Sequence, residues 1–314
     1  MKGAHVISWG SSPVFTDLPD LPHPSPTQLQ LKVLAVGVPR VVQARAAGKH
    51  SSVQNKPLPL DPSLDGVGLD ESTGDLYFIT IGPKGGAPLF AERVNAERSQ
   101  LIPLEKDADP VTVAALVNPV SSSWLALTSR AAGGVQGRNV LVLGATGASG
   151  RIAVKVARSL GAARIVGIAR SADKLATVEG LDERVLLKEP FELPESIGPL
   201  HIILDYVGGR AAVEVMKQAQ VEPGTNLDYV HIGDLAGEDD IRVPSSLLNK
   251  KPLRIMGSGM GAWSKEEMKR ETPRLVAATA KMTRTSDIFT APLSDVESVW
   301  DTEDAKNKRL VFVP

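Results

Sequence analysis

One stretch decides the fold: Asn139-Val-Leu-Val-Leu-Gly144-Ala-Thr-Gly147-Ala-Ser-Gly150-Arg-Ile-Ala-Val-Lys-Val-Ala-Arg-Ser-Leu-Gly161. Its residues 140–143 are a continuous apolar run, which is typical of a parallel strand buried on both faces. After Gly150, apolar side chains recur at helical spacing on one face and basic side chains share another, which predicts an amphipathic helix. The stretch therefore predicts a strand, a glycine turn and a helix of a parallel α/β sheet.

The glycine turn between this strand and helix is suited to a phosphate. A tight turn aimed at a helix N-terminus presents backbone N–H groups and the positive end of the helix dipole to an anion. Gly147 would let the backbone touch a pyrophosphate and Gly150 would let the helix lie against the strand, as in the dinucleotide-binding fingerprint. Ala145 stands where that fingerprint has its first glycine, so the pattern is GxxGxxG, and the alternative is a tight turn without a ligand. The cofactor contacts predicted here are Gly144, Ala145, Thr146, Gly147, Ala148 and Ser149.

The residues after the second predicted strand, 164–169, indicate which dinucleotide binds. An acidic residue at this distance from the turn binds the ribose 2′-hydroxyl of NAD, whereas basic and hydroxyl side chains suit the 2′-phosphate of NADP. This chain has Arg170, Ser171 and Lys174, so the sequence predicts NADP as the cofactor. In the alternative interpretation Ser171 only caps the next helix, and the two basic side chains are solvated charges.

Composition and charge restrict the class of protein. The 314 residues are 42% hydrophobic and 23% charged, which predicts a globular chain of two domains, or of one sheet domain with a large appendage. The formal net charge of −1 implies no broad basic face, so neither nucleic acid nor a membrane is an expected partner. The chain has no cysteine, which excludes disulfides, thiolate zinc ligands and a cysteine nucleophile. Residues 1–9 are too short and polar for a signal peptide, so we expect a cytoplasmic protein.

The order of strands and helices predicts two domains. The strands predicted in the first 105 residues cover 4–7, 29–36, 76–81 and 89–94, with a glycine-rich turn at 82–86. A helix over 111–117 is interrupted at Asn118-Pro119 and a second follows over 121–132, which marks the domain border. From residue 139 onward strands alternate with helices, as in a parallel sheet with right-handed crossovers. The closing strand at 309–314 has no helix after it and is free to pair back into the N-terminal sheet.

The predicted fold class is thus α/β, a Rossmann doubly wound parallel sheet plus a mostly β domain. Ligands of such a sheet bind at the carboxyl ends of its strands, where this chain has glycine and small residues. The further cofactor contacts expected there are Gly208, Ile232, Gly233, Ser258 and Gly259. His231 ends one of these strands, where an imidazole could shuttle a proton at neutral pH, although such a histidine is more often a packed strand residue.

The chain as a whole resembles the zinc-independent, quinone oxidoreductase-like branch of the medium-chain dehydrogenase/reductases. The resemblance is carried by Met1-Lys-Gly-Ala, residues 115–127, the Gly144 turn, Asp205-Tyr-Val-Gly-Gly209, His231-Ile-Gly233 and Lys308-Arg-Leu-Val-Phe-Val-Pro314. It implies a GroES-like domain over residues 1–118, closed by residues 285–314, and a Rossmann NADP-binding domain over residues 119–284. It also implies NADPH-dependent reduction of quinones or activated alkenes.

The resemblance also bears on the metal and on the catalytic groups. Zinc-binding members carry a cysteine near Gly37 and a Gly-His-Glu motif, where this chain has Val38-Pro39-Arg40 and Leu64-Asp-Gly-Val-Gly68, so no metal site is expected. Zinc-free relatives place an asparagine or a tyrosine near the nicotinamide in the first of these loops. Pro39 stands there in this chain, which leaves the proton donor open.

Three residues are candidates for catalytic contacts. Arg40 could polarise a carbonyl or hold an anionic substrate, although an exposed loop arginine is the commoner case. Asn118 and Ser122 lie where the resemblance puts groups near the nicotinamide. Their alternative roles are structural, because Asn-Pro breaks helices and serine caps them.

Functions of two different classes fit these residues. The first is an NADPH-dependent oxidoreductase that reduces quinones or activated C=C bonds by direct hydride transfer without a metal, in a cleft between residues 37–60 and the Rossmann sheet. The second is a protein of the same fold that binds NADPH but acts as a scaffold or in non-redox biosynthetic tailoring. The expected partner is a small apolar quinone or enone, and a homodimer is left open. Residues that could wall its pocket, unless they belong to the core, are Trp124, Met260 and Trp263.

Overall fold

The structure, a computed structural model, describes residues 1–81, 86–237, 240–259 and 261–314. The chain forms two compact units: unit 1 comprises residues 1–118 and 273–314, and unit 2 comprises residues 119–272. The boundary between residues 272 and 273 falls inside a helix. Most of the predicted turn at 82–86, and Met260, lie outside the described residues.

The elements are numbered in chain order. The strands are β1 (Lys2–His5), β2 (Val14–Asp17), β3 (Gln28–Gly37), β4 (Gly66–Asp70), β5 (Asp75–Ile79), β6 (Arg93–Glu97), β7 (Leu101–Leu104), β8 (Asn139–Leu143), β9 (Arg164–Ala169), β10 (Glu183–Leu186), β11 (Ile202–Asp205), β12 (Leu227–His231), β13 (Leu253–Gly257), β14 (Ile288–Pro292) and β15 (Arg309–Val313). The helices are α1 (Arg40–Ala46), α2 (Pro110–Leu125), α3 (Ala148–Ser159), α4 (Ala172–Ala176), α5 (Gly209–Gln218), α6 (Ser245–Lys250), α7 (Lys265–Ala280), α8 (Val296–Val299) and α9 (Glu303–Asn307).

Unit 2 is built on a parallel sheet of six strands in the order β10-β9-β8-β11-β12-β13. From β8 the chain runs outward through β9 and β10 on one side, and through β11, β12 and β13 on the other. This is the predicted doubly wound arrangement, which is confirmed. Its ligand crevice lies where the strand order reverses, at the carboxyl ends of β8 and β11. Buried apolar side chains of the sheet pack against α5 and form the core on that face.

Unit 1 contains a second, mostly antiparallel sheet in the order β14-β15-β3-β4-β5-β7, with β6 also paired to β3. The closing strand β15 returns to this sheet, since Val311 pairs with Gly37 and Phe312 with Val36 on β3. The Phe312 ring meets the edge of the Phe90 ring at a centroid distance of 5.7 Å. The C-terminal segment therefore completes the core of unit 1, as the sequence allowed.

The strand predicted over residues 89–94 is displaced along the chain. β6 begins only at Arg93, and Leu89 and Phe90 are fully buried before it. The Phe90 N–H donates to the Asp61 carboxylate at 2.8 Å instead of to a strand neighbour. The sequence analysis does not predict β7, which contains Pro103 and lies at the edge of the sheet, where a missing N–H is tolerated.

The helix at the domain border is continuous, and the predicted break at Asn118-Pro119 is wrong. Pro119 lies inside α2, where it removes a single N–H donor. The Ser122 and Ser123 hydroxyls donate to the carbonyls of Pro119 and Val120, at 3.0 and 3.2 Å. Residues 110–130 are long and apolar enough to cross a membrane by length and composition alone. However, 72% of the window is buried inside the protein, as in a core helix.

Candidate functional site

The glycine turn after β8 has a backbone that glycine favours and a packing partner on β9. Gly144 has a φ of +91°, in the left-handed region that side chains avoid. The N–H groups of Gly144 and Ala145 donate to the carbonyl of Ile168, at 2.8 and 3.1 Å. Ala145 is fully buried, and a Cβ added to Gly167 would lie 3.1 Å from its methyl group. The glycine that the fingerprint has at the position of Ala145 is thus replaced by one on the neighbouring strand.

Two further glycines determine how α3 meets the turn. A Cβ on Gly150 would lie 2.2 Å from the Gly144 carbonyl oxygen, so no side chain fits there. At Gly147 a Cβ would lie 3.3 Å from the same oxygen and 3.6 Å from Leu235 Cδ1, so this position is less crowded. No side chain caps α3, which begins with Ala148 and Ser149. An anion at this turn would therefore meet the positive end of the helix dipole, and the residues present fit a pyrophosphate.

Arg170, Ser171 and Lys174, here called the basic corner, follow the carboxyl end of β9. Ser171 caps α4, since its hydroxyl oxygen accepts the Lys174 N–H at 3.3 Å, but its hydroxyl proton can still be donated to another acceptor. Arg170 and Lys174 are exposed. In the part of the chain that the structure describes, neither pairs with an acidic side chain. Two cations and a hydroxyl form a suitable site for a dianionic phosphate.

Arg151 connects the glycine turn to the basic corner, which sequence reasoning missed. Its guanidinium donates to the carbonyl of Thr146 in the turn at 3.3 Å. It also donates to the carbonyls of Lys174 and Thr177 at the end of α4, at 3.3 and 3.1 Å. The sequence held no signal for this contact, because a basic residue on the polar face of a helix is usually solvated. Arg151 fixes the distance between the two parts of the predicted cofactor site.

A buried carboxylate organises the ends of β11 and β12. Asp205 is inaccessible to solvent, and its carboxylate accepts the N–H groups of Val207 and Gly208 at 2.8 and 3.0 Å. Its backbone carbonyl accepts the N–H groups of Ile232 and Gly233 at 2.8 and 3.2 Å. The predicted cofactor residues in these loops therefore use their N–H groups on Asp205. If Gly208, Ile232 and Gly233 contact a cofactor, they do so through atoms other than these N–H groups.

Asp205 also holds two titratable side chains of β12. Tyr229 donates its hydroxyl to the carboxylate, and His231 Nδ1 lies 3.0 Å from the same oxygen. The hydrogen bond to Asp205 raises the pKa of His231, burial opposes this increase, and the charges of Asp205 and Asp234 add to it. His231 is therefore an anchored imidazole at the carboxyl edge of the sheet.

The loop after β13 contributes one packed and one open residue. Ser258 is 3% exposed, and its hydroxyl oxygen accepts the indole N–H of Trp263 at 3.0 Å. Gly259 is exposed, and a Cβ there would meet no atom within 4 Å. Trp124 donates its indole N–H to the buried Glu271 at 3.0 Å, so its polar edge is already occupied inside unit 2.

The serines of α2 lie beside the loop that follows Asp205. The Tyr206 hydroxyl is sealed from solvent and has no partner at hydrogen-bonding geometry among the described residues. Burial raises the pKa of Tyr206, and the nearby hydroxyls of Ser122 and Ser123 oppose that increase. The structure therefore brings Ser122 to the β11 end of the crevice, although its own proton is donated within the helix.

The other two catalytic candidates, Arg40 and Asn118, belong to unit 1. A Cβ on Gly37 would lie 2.2 Å from the Ala114 carbonyl oxygen, so α2 packs directly on this backbone. Asn118 lies one turn further along the same face of α2. Arg40 is the first residue of α1 and is exposed, as a solvated arginine would be.

Asp65, to which the sequence gave no role, lies at the same end of β3. β3 and β4 pair through Val36 and Gly66, which sets Asp65 beside Gly37. Burial raises the pKa of the Asp65 carboxyl from 3.8 to about 7. An acid before a strand is too common a pattern to reveal this, because the pKa depends on burial that only the fold creates. Among the described residues, no group of three His, Cys, Asp or Glu side chains is placed to hold a metal ion.

Known proteins identify the family, although no family model matches the chain. The chain is 44% identical, over an alignment of 358 positions covering 100% of both chains, to a probable NADPH-dependent quinone reductase of Emericella nidulans. It is 32% identical over 170 residues, 54% of this chain and 49% of the relative, to acryloyl-coenzyme A reductase of Sulfurisphaera tokodaii. The quinone oxidoreductase of Thermus thermophilus, whose crystal structures include an NADPH complex, matches the fold with a TM-score of 0.72 over 100% of both chains, at 26% identity. The predicted family is confirmed, and the chain belongs to the quinone oxidoreductases of the medium-chain dehydrogenase/reductase superfamily.

Proposed function

We propose that the protein is an NADPH-dependent oxidoreductase that reduces quinones or activated C=C bonds by direct hydride transfer, without a metal, in the cytoplasm. The observation that carries this proposal is the glycine turn braced to the basic corner in a chain 44% identical, along its whole length, to a probable NADPH-dependent quinone reductase. The NADPH complex of the Thermus thermophilus protein supports the choice of cofactor. The likeness to an acryloyl-coenzyme A reductase supports an activated C=C bond as acceptor.

The chain's own residues would bind the cofactor and the acceptor. Gly147 and the first turn of α3 would hold the pyrophosphate, and the basic corner would hold the 2′-phosphate. When bound, NADPH supplies a hydride from its nicotinamide. A quinone or an enone accepts hydride at carbon and delocalises the resulting charge onto oxygen. Arg40, Asn118 and Ser122 are the proposed contacts of that oxygen.

A second candidate function is NADPH binding without reduction, in a scaffold or in non-redox biosynthetic tailoring. The observation that favours it is the composition of the loop after β3. Pro39 stands where zinc-free relatives have an asparagine or a tyrosine, and Arg40 beside it is exposed. The tests below separate binding from reduction.

Arg170→Ala is expected to weaken NADPH binding roughly 10-fold to 100-fold, because a charge-assisted phosphate contact contributes about 1.5 to 3 kcal/mol. NADH lacks the 2′-phosphate, so its affinity should stay the same. Calorimetric titration of each cofactor measures both. Lys155→Ala, which removes a cation from the exposed face of α3, is the matched control. Equal losses for NADPH and NADH would contradict the assignment of the basic corner.

Gly147→Val and Gly150→Val are both expected to lose NADPH binding, but for different reasons. At Gly150 the added Cβ would lie 2.2 Å from a backbone oxygen, so this variant should lose more than about 3 kcal/mol of folding free energy. At Gly147 the side chain has more room, so the variant should fold but exclude the pyrophosphate. Thermal unfolding and NADPH titration of both variants distinguish the two effects. Normal NADPH affinity in a folded Gly147→Val protein would show that the phosphate binds elsewhere.

Hydride transfer and independence from metal are tested on the unaltered protein. NADPH deuterated at the transferred position should deliver deuterium to the β-carbon of an enone. Turnover should survive chelation, and elemental analysis should find no stoichiometric metal. Deuterium on a carbinol carbon would instead indicate an alcohol dehydrogenase. NADPH binding without reduction of any quinone or enone would favour the second candidate function.

We also propose that a second copy of the chain pairs with the edge strand β13 to form a homodimer. Ile255 on this strand is 41% exposed, and an exposed apolar side chain on an unpaired sheet edge can pack against a second strand. The opposite edge strand β10 has a similarly exposed side chain, so the test compares the two edges. Ile255→Lys is then expected to halve the mass measured by light scattering while NADPH binding persists. The control is Leu186→Lys on the opposite edge strand β10, where Leu186 is 39% exposed. A monomeric unaltered protein would refute this proposal.

A further inference from the structure

Two aspartates on the loop before β4 differ in what they bind. Asp61 accepts the backbone N–H groups of Ser63 and Phe90, both at 2.8 Å, and so ties the loop to the segment before β6. Asp65 is 8% exposed, and no described residue donates a hydrogen bond to it. Most buried polar groups in folded proteins have a partner. The fold therefore accounts for Asp61 but gives no structural reason for Asp65.

The surroundings of Asp65 raise the pKa of its carboxyl group. The described segments beside it, residues 36–39, 79–81 and 86–89, contain no charged side chain. Burial alone raises the pKa of Asp65 from 3.8 to about 7. The charged groups on adjoining elements are Asp61, Arg40 and Arg45, and Arg45 donates to the Pro62 carbonyl at 2.8 Å. A carboxyl group in this position carries a transferable proton near neutral pH.

Asp65 also lies where the substrate contacts of unit 1 are proposed. It stands beside Gly37, the last residue of β3. Arg40 follows three residues later on α1, and α2, which carries Asn118, packs on the Gly37 backbone. None of the other candidates in unit 1 is an acid.

We propose that Asp65 is the catalytic proton donor of this reductase, which rests on the proposed function. The β-carbon of an enone receives the hydride that NADPH supplies, and the electron pair of the C=C bond moves toward the carbonyl oxygen. The O–H bond of the Asp65 carboxyl group then breaks, and its proton forms the new C–H bond at the α-carbon. With a quinone the proton goes to oxygen. The carboxylate left on Asp65 recovers a proton from water, so one NADPH and one proton are consumed for each two-electron reduction.

The test uses an α-methyl enone, because protonation of its α-carbon creates a stereocentre. The unaltered protein should give one enantiomer, and its kcat should fall as the pH rises through about 7 and Asp65 loses its proton. Asp65→Asn should bind NADPH normally, lose about 100-fold or more in kcat, and give residual product that is racemic, because water protonates either face. Asp65→Glu should recover part of the rate and the selectivity. The control Asp70→Asn, at the other end of β4, should change neither.

A second readout does not depend on turnover. The pKa of Asp65 is higher in the folded protein than the value of 3.8 in the unfolded chain. As the pH rises from 3.8 to about 7, the unfolded chain loses this proton while the folded protein keeps it, so the free energy of unfolding falls. Asparagine has no proton to lose. The unfolding temperature of Asp65→Asn minus that of the unaltered protein should therefore increase as the pH rises across this window. Above about pH 7 this difference should stay constant. The infrared band of a protonated carboxyl group should disappear near pH 7 in the unaltered protein and be absent from the variant.

The outcomes separate the two proposals. Normal rate and stereochemistry in Asp65→Asn would overturn the role of Asp65 and leave the reductase standing. An infrared band lost already near pH 4 would do the same. If the unaltered protein reduces no quinone or enone, both proposals fall.

Discussion

The contact between α3 and the turn that precedes it is the constraint on which the cofactor site of unit 2 depends. The α-carbon of Gly150 lies so close to the Gly144 carbonyl that an added Cβ would be 2.2 Å from the oxygen. This close contact directs the N-terminus of α3 toward the carboxyl end of β8. A phosphate bound there would be stabilised by the positive end of the helix dipole. The contact also places Arg151, one residue later, where its guanidinium reaches both the turn and the end of α4. The distance from the glycine turn to the basic corner thus follows from the absence of a side chain at Gly150.

Local patterns predicted most of unit 2, because each of its strands, turns and helices is encoded by neighbouring residues. The apolar run before Gly144, the amphipathic helix after it and the basic corner all follow from spacing along the chain. Spacing along the chain does not reveal that a residue at one position can compensate for a change at a distant one. Ala145 departs from the fingerprint, and the space that its methyl group needs is provided by Gly167 on another strand. Similarly, Pro119 predicts a break, but α2 continues because the surrounding packing outweighs the loss of one N–H donor.

Buried carboxylates are where sequence reasoning fails most clearly, because their behaviour depends on donors that the fold supplies. Asp205 was quoted only as part of a family motif, yet it accepts hydrogen bonds from two backbone N–H groups and from Tyr229. Asp61, which is only partly buried, is similarly satisfied, whereas the buried Asp65, four residues later, has no described donor. In the sequence all three are aspartates beside apolar residues. Only the count of donors separates a carboxylate that holds loops together from one that is free for chemistry.

The same distinction underlies the proposed reduction without a metal. A Lewis acid and a neutral carboxyl group are alternative ways to accept the charge that develops when hydride adds to an acceptor. A solvated carboxyl group is ionised at neutral pH and has no proton to give. A buried one retains its proton, provided that no cation or hydrogen-bond donor stabilises the anion. The described segments beside Asp65, residues 36–39, 79–81 and 86–89, contain no charged side chain, and the chain has no cysteine. An arginine placed beside Asp65 would strengthen the fold locally and remove the proton on which the reaction depends.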